Sequence, residues 1–287
     1  RIEALLLLGL ARERRHEVEL AYDVLSAALE NLTQAERLMP TDSARFLVSG
    51  FTILALLLME RGETDKAAAL FRRILDDPTI KDREARAIAG RNLANWYYGS
   101  ERYAEAVAVY EATLEDLAAA GYSTYEALTR LGDSLENLGE TARAEECLRR
   151  AIGLNPPAAE MAAIFAVFAS TLNASGRKET ATDYVREARY FLQYVSEERR
   201  TDVSILIATV AWNVKDLDST IDLCESVIRE TADKRAFTEA SRLLLNALYH
   251  RQEYSECLEQ CKRILSELSL RGGDEAQAIR LGVWSAA

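Results

Sequence analysis

The sequence predicts an all-α protein assembled from repeated helical hairpins, and three observations lead to this fold class. The 287 residues are 49% hydrophobic and 28% charged with only 13 Gly and 4 Pro, which favours long helices over disorder. Apolar residues recur three and four positions apart, as at Leu128, Leu131 and Leu135, which is the period of a helix with one buried face. The third observation is a pair of small residues, twelve positions apart, that returns along nearly the whole chain.

The recurring pair places one small residue, the anchor, in a first helix and its partner in the helix that follows. Small side chains let two antiparallel helices approach closely, and a larger residue follows each partner after one helical turn. We expect each set to form one hairpin. The anchors and partners are Gly9/Ala21, Ala55/Ala67, Ala94/Ala106, Gly132/Ala144, Ala169/Ala181, Ala208/Thr220 and Leu245/Cys257. The larger residues are Leu25, Phe71, Tyr110, Leu148, Val185, Cys224 and Cys261.

The connections between the predicted helices agree with this order. Glycine lies where most of the first helices should end, because it accepts the left-handed backbone of a helix C-cap. The four glycines are Gly62, Gly99, Gly139 and Gly176. Successive anchors lie 37 to 46 residues apart, and the longest interval contains Pro40, where we expect an extended second helix or an additional turn.

Residues 131–156 carry the most regular copy of the pattern, and this copy resembles a tetratricopeptide repeat. The resemblance extends to nearly the whole chain because the same frame recurs. It depends on these positions: Leu131, Gly132, Leu135, Gly139, Ala144, Leu148, Ala151 and Pro156.

The resemblance implies a right-handed superhelical solenoid formed by residues 1–287 as one domain. It contains seven hairpins and the first helix of an eighth. Arg1 lies inside the first predicted helix and residues 278–282 begin the eighth, so we expect the chain to be a piece of a longer protein.

Proteins of this family bind a protein or peptide segment in their concave groove, which implies a scaffold or adaptor. A second interpretation is a sensor array, because the long repeats are similar to those of bacterial signal-transduction ATPases and MalT-like transcription regulators. Self-association remains open under both interpretations.

The charge balance narrows the class of partner. Thirty-five Lys and Arg against 46 Asp and Glu give a net charge of −11, which on average repels nucleic acid and anionic membranes. The short apolar run at residues 5–8 continues into basic residues and is interpreted as part of a helix rather than a signal peptide. We expect a protein partner in the cytoplasm, with no nucleic acid and no membrane.

The sequence contains few residues that could carry catalysis or bind a metal ion. Both histidines, His16 and His250, lie at the ends of predicted helices, and no phosphate loop, nucleophile motif or metal-ligand spacing occurs. Cys257 and Cys261 lie one turn apart, but they occupy packing positions of the repeat, so we expect them in the core. The four cysteines lack structural zinc spacing, which suits a reducing compartment. We expect neither enzymatic activity nor a cofactor.

The strongest binding signal is a polar triplet on the groove side of two first helices. Positions three before, one after and four after the anchor share one side of a helix. The third and seventh hairpins have the same residues there: Arg91, Asn95 and Tyr98 in one, Arg242, Asn246 and Tyr249 in the other. An arginine follows in each next hairpin, at Arg130 and Arg280.

The Arg and Asn pair is similar to part of the carboxylate clamp found in chaperone-binding members of the family. That similarity implies a partner with an anionic group or a C-terminal carboxylate, held by the planar donors of arginine. The similarity is partial, because Ala163 and Val167 stand where the clamp has cations. An alternative is that these side chains are ordinary solvated or inter-repeat contacts.

Two further observations bear on where a ligand would lie. The groove positions of the fourth hairpin, Thr129, Asp133 and Glu136, lack the triplet, so we expect the hairpins of Arg91 and Arg242 to carry the ligand site. Trp212 in the sixth hairpin either lines the groove for an apolar side chain or is buried between repeats.

Overall fold

The computed structural model describes residues 17–34, 44–77 and 82–270, together with residues 5, 8, 9 and 12. Thirteen α-helices, one short 3-10 helix (Leu192–Tyr194) and no β-strand lie within these three ranges. The α-helices are α1 (Val18–Gln34), α2 (Ala44–Glu60), α3 (Thr64–Asp76), α4 (Arg83–Gly99), α5 (Tyr103–Ala119), α6 (Tyr125–Asn137), α7 (Thr141–Gly153), α8 (Ala158–Ala174), α9 (Lys178–Phe191), α10 (Glu197–Val214), α11 (Leu217–Glu230), α12 (Lys234–His250) and α13 (Tyr254–Leu270). The predicted all-α class is confirmed.

The helices group into two compact units, an N-terminal unit (Arg1–Leu138) and a C-terminal unit (Gly139–Ala287). In the N-terminal unit α2 packs on α3 and α4 packs on α5, and α4 also contacts α6. In the C-terminal unit α8 packs on α9, α10 on α11 and α12 on α13, and the first helices α8, α10 and α12 contact one another in order. Within each unit the helices therefore form successive antiparallel hairpins, as predicted. The expectation of one domain over residues 1–287 stays a prediction.

The small-residue pairs are buried inside these hairpins. Ala94 and Ala106 are fully buried between α4 and α5, and Ala169 and Ala181 are fully buried between α8 and α9. The larger residue that follows each partner is buried too in every hairpin from Phe71 to Cys224, whereas Cys261 is half-buried. The packing role inferred for the anchor frame is confirmed.

The turn prediction is correct at Gly62, Gly139 and Gly176, all of which have positive φ, and wrong at Gly99. Helix α4 includes Gly99, and the left-handed residue of this turn is Glu101, with a φ of 58°. The amide of Arg102 then donates to the carbonyl of Tyr97 at 2.9 Å, which closes the turn two residues later than expected.

Helix α4, which carries the first polar triplet, has a defined start. The Asp82 carboxylate accepts hydrogen bonds from the amides of Glu84 at 3.0 Å and Ala85 at 3.4 Å. Such an N-cap satisfies amides that have no partner inside the helix. The cap fixes the first residue of the helix that carries Arg91, Asn95 and Tyr98.

Several sequence predictions fall outside the described residues. They are the additional segment around Pro40, His16, the eighth hairpin and Arg280. Among the described helices, none is both long and apolar enough to cross a membrane.

Candidate functional site

Two rows of polar side chains lie on neighbouring helices of the N-terminal unit, and we call them the α4 row and the α6 row. The α4 row is Arg91, Asn95 and Tyr98, and the α6 row is Glu126, Arg130 and Asp133. Both rows have the spacing i, i+4, i+7, which keeps three side chains on one side of a helix. The helices contact each other. The rows therefore form one surface.

The two rows are joined at Tyr98. Its hydroxyl donates a hydrogen bond to the Asp133 carboxylate, and the Arg130 guanidinium lies 5.8 Å from the centre of its ring. Arg130 also pairs with Glu126 in its own row at 2.9 Å. Tyr98, Arg130 and Asp133 are half-buried, so these groups hold one another in place more firmly than exposed side chains would.

Asn95 is oriented from below by a buried tyrosine of α5. The Tyr110 hydroxyl donates to Asn95 Oδ1 at 2.6 Å, and Tyr110 itself is fully buried. Because the amide oxygen is engaged inside the unit, the two N–H donors of the amide face away from Tyr110. Tyr110 was predicted to be a packing residue, and it additionally orients the Asn95 side chain.

Arg91 lies against an aromatic ring. Its guanidinium lies 5.2 Å from the centre of the Tyr122 ring, and no carboxylate of the described residues pairs with it. By contrast, Arg86 earlier on α4 pairs with Asp116 at 3.1 Å. Stacking on a tyrosine leaves the edge of the guanidinium, with its N–H donors, available to an anion.

Burial shifts the ionisation of the groups beneath this surface. It raises the pKa of the Asp133 carboxyl, and the hydrogen bond from Tyr98 opposes this rise only in part. Burial is also the main cause that raises the pKa of the Tyr98 and Tyr110 hydroxyls. Both tyrosines therefore stay neutral hydrogen-bond donors at physiological pH.

The structure joins Tyr98 and Arg130 to Asp133, a residue of the fourth predicted hairpin. Which hairpins carry the ligand site stays a prediction. In the anchor frame, Tyr98 and Glu136 occupy equivalent positions. Tyr98 instead contacts Asp133, three residues earlier, because side-chain packing sets how far α4 and α6 are shifted along each other.

The identical triplet of the C-terminal unit has different surroundings. Arg242 and Tyr249 are exposed and Asn246 is half-buried on α12. The Tyr249 ring packs against Tyr254 with centroids 5.6 Å apart. No hydrogen bond links Tyr249 to another described residue. The same three residue types therefore do not form the same network in both units.

Trp212 has features of both predicted alternatives. Its ring packs against the apolar core of the C-terminal unit and meets the His250 ring edge-on, with centroids 5.1 Å apart. It is nevertheless only half-buried, and Lys215 Nζ lies 4.5 Å from the ring centre. His250 is an exposed residue at the end of α12, as expected.

The cysteines of α13 are packing residues. Cys257 is buried and its thiol lies 3.6 Å from the carbonyl oxygen of Leu245, while Cys261 is half-buried. In the described part of the chain no three His, Cys, Asp or Glu residues are arranged to hold a metal ion.

The thiols are expected to react slowly in the folded protein. Burial raises the pKa of Cys224 to about 12 and that of Cys261 to about 11, so little reactive thiolate exists near neutral pH. We expect a thiol reagent at pH 7.5 to modify the native chain more than about tenfold more slowly than a free peptide thiol, and all four cysteines to react readily in denaturant. A fast native phase that disappears in Cys261→Ser would contradict this expectation.

Known protein families match the part of the chain that contains the two rows. Two sequence models of the tetratricopeptide repeat match residues 91–120 and 125–157, which contain the α4 row and the α6 row. No curated protein matches the chain in sequence.

Similarity to solved structures extends much further along the chain. A tetratricopeptide repeat protein from Parabacteroides merdae is similar with a TM-score of 0.65 at 14% identity, covering 98% of this chain and 97% of its own. PilW, described as a widely conserved type IV pilus biogenesis factor, has a TM-score of 0.55 at 18% identity, covering 82% of this chain and 96% of its own. Pseudomonas aeruginosa PilF has a TM-score of 0.54 at 14% identity, covering 83% of this chain and 99% of its own. At these identities the similarity establishes the fold alone.

Proposed function

The chain belongs to the tetratricopeptide-repeat family, and from this premise we propose that it is a non-catalytic scaffold that binds a segment of a partner protein. The α4 row and the α6 row are the proposed contact surface. The segment carries a carboxylate, from an acidic side chain or from its C terminus.

The observation that carries this proposal is the environment of Arg91. It is a half-buried cation, fixed against Tyr122, with no carboxylate partner among the described residues. The two acidic residues of the α6 row are engaged, Glu126 by Arg130 and Asp133 by Tyr98. Arg91 is therefore a preformed donor to an anion in a chain whose net charge is −11.

Asn95 supplies the second contact. It follows Arg91 by one helical turn, roughly 6 Å along the axis, and its amide donors are directed by Tyr110. An extended peptide advances about 3.3 Å per residue, so groups two residues apart reach both side chains. Arg91 binds the carboxylate and Asn95 a backbone carbonyl about two residues away in this arrangement.

Peptide selection tests this proposal. We would select binders to the full chain from a displayed library of random peptides with free C termini, and measure the affinity of enriched peptides by calorimetry. Enriched peptides should carry a carboxylate, and Arg91→Ala should weaken them by about tenfold or more, the loss of one charged hydrogen-bonding anchor.

The matched control removes the same charge elsewhere. Arg150 is an exposed arginine of α7, and Arg150→Ala should leave peptide affinity unchanged. If the double variant Arg91→Ala, Arg242→Ala binds the enriched peptides as tightly as the unaltered chain, the proposal is wrong.

The sensor alternative gains no support, because none of the three similar structures named above is described as part of a signal-transduction ATPase or transcription regulator. The proposed setting is the cytoplasm, because none of the four cysteines forms a disulfide.

A further inference from the structure

A continuous series of aromatic rings lies on the C-terminal unit, where α10 and α12 end and α13 begins. We call it the aromatic strip: Trp212, His250, Tyr249 and Tyr254. Neighbouring ring centroids are 5.1, 6.1 and 5.6 Å apart, and the planes of adjacent rings meet at 66°, 86° and 68°. Each ring thus stands edge-on to the next, which is an arrangement that aromatic pairs prefer.

The strip is open to solvent on one side. Tyr249 is 42% exposed and Tyr254 is 58% exposed, whereas Trp212 is held against the core. The hydroxyls of both tyrosines make no hydrogen bond to any other residue that the structure describes. Exposed rings in such a series form an apolar surface patch, and patches of this kind often mark sites of protein–protein interaction.

Four groups that can donate a hydrogen bond lie along the strip without a hydrogen-bond partner among the described residues. They are the two tyrosine hydroxyls, the indole N–H of Trp212 and the Lys215 ammonium group beside it. The carboxylates of the same turns are already occupied. Arg251 pairs with Asp218 at 2.6 Å and with Glu253 at 3.0 Å, and Asp216 accepts hydrogen bonds from Ser219 at the start of α11.

We propose that the aromatic strip binds a proline-rich segment of a partner protein in the polyproline II conformation. Proline has no amide hydrogen, so such a segment offers carbonyl acceptors and few donors, the complement of the strip. Its rings pack flat against aromatic faces, and its stiffness reduces the entropy lost on binding. An amphipathic helix is a poorer fit, because it has no free backbone carbonyls for these donors.

The inference concerns the C-terminal unit alone and does not require the carboxylate proposal for Arg91. The test uses the full chain and three fluorescein-labelled decapeptides, measured by fluorescence anisotropy. One is decaproline, one is a Gly-Ser peptide, and one is a Gly-Ser peptide with four glutamates. Decaproline should bind, and the Gly-Ser peptide should bind at least tenfold more weakly.

Two variants locate the binding. The double variant Tyr249→Ser, Tyr254→Ser should weaken decaproline at least tenfold, whereas Tyr190→Ser, which alters a tyrosine 57% exposed in the same unit, should not. Circular dichroism and thermal unfolding of each variant establish that it is folded, which is expected because the altered rings are exposed. Arg91→Ala should leave decaproline affinity unchanged.

Three results would overturn the inference. They are equal binding of decaproline and the Gly-Ser peptide, decaproline binding that survives the double variant, and preference for the glutamate peptide over decaproline. The last would assign the strip and Lys215 to acidic segments instead.

Discussion

Replacement of Gly90 by alanine is expected to destabilise the N-terminal unit by about 2–3 kcal/mol, the cost of overpacking a well-packed interior. A Cβ on Gly90 would lie 2.6 Å from the Cβ of Thr113 on α5. Thr113 cannot turn aside, because it is buried and its hydroxyl donates to the Val109 carbonyl at 2.7 Å. Helices α4 and α5 must separate, and chemical denaturation measures the loss of stability.

The same change should reduce binding, because Gly90 directly precedes Arg91 and its close approach fixes the distance from Asn95 to Tyr110. Gly99→Ala is the control on the same helix. A Cβ there meets nothing within 4 Å, so this variant should be neutral or gain up to about 1 kcal/mol from helix propensity. Equal stabilities of Gly90→Ala and Gly99→Ala would show that the close approach is not needed.

Tyr98→Phe is expected to lower the free energy of unfolding by about 1–3 kcal/mol at neutral pH, because it leaves the Asp133 carboxylate half-buried without its hydroxyl partner. When Asp133→Asn is added to the Tyr98→Phe variant, most of the lost stability should return, because a neutral amide needs no charge compensation. A double-mutant cycle on the two positions measures the coupling. Tyr254→Phe, in which an exposed hydroxyl is removed, is the matched control.

The cost of Tyr98→Phe should depend on pH in a defined direction. Burial raises the pKa of Asp133 in the folded protein, so the folded state binds this proton more tightly than the unfolded state. The free energy of unfolding therefore falls as pH rises through the raised pKa. The hydrogen bond from Tyr98 lowers that pKa, and its removal raises the pKa further. The difference between Tyr98→Phe and the unaltered chain should therefore grow from acid to neutral pH. A pH-independent difference, or one largest in acid, would contradict the role given to Asp133.

Much of the fold is local enough to be predicted from the sequence. Helix period, the pair of small residues and the turn at Gly62 depend on residues close in the chain, and each agrees with the structure. The failure at Gly99 is instructive. A glycine marks a permitted turn, but Glu101 adopts the left-handed backbone there because hydrogen bonds from the following amides close the turn later.

The candidate site divides in the same way. The sequence alone determined the helical hairpins and which residues share one face of each first helix, because helical geometry assigns residues to faces. Only the tertiary structure decided that Tyr98 contacts Asp133, that Tyr110 orients Asn95, and that the triplet at Arg242 lacks this network. The stagger between neighbouring helices depends on how side chains interlock. A shift of one turn exchanges one partner for another, and no local pattern records it.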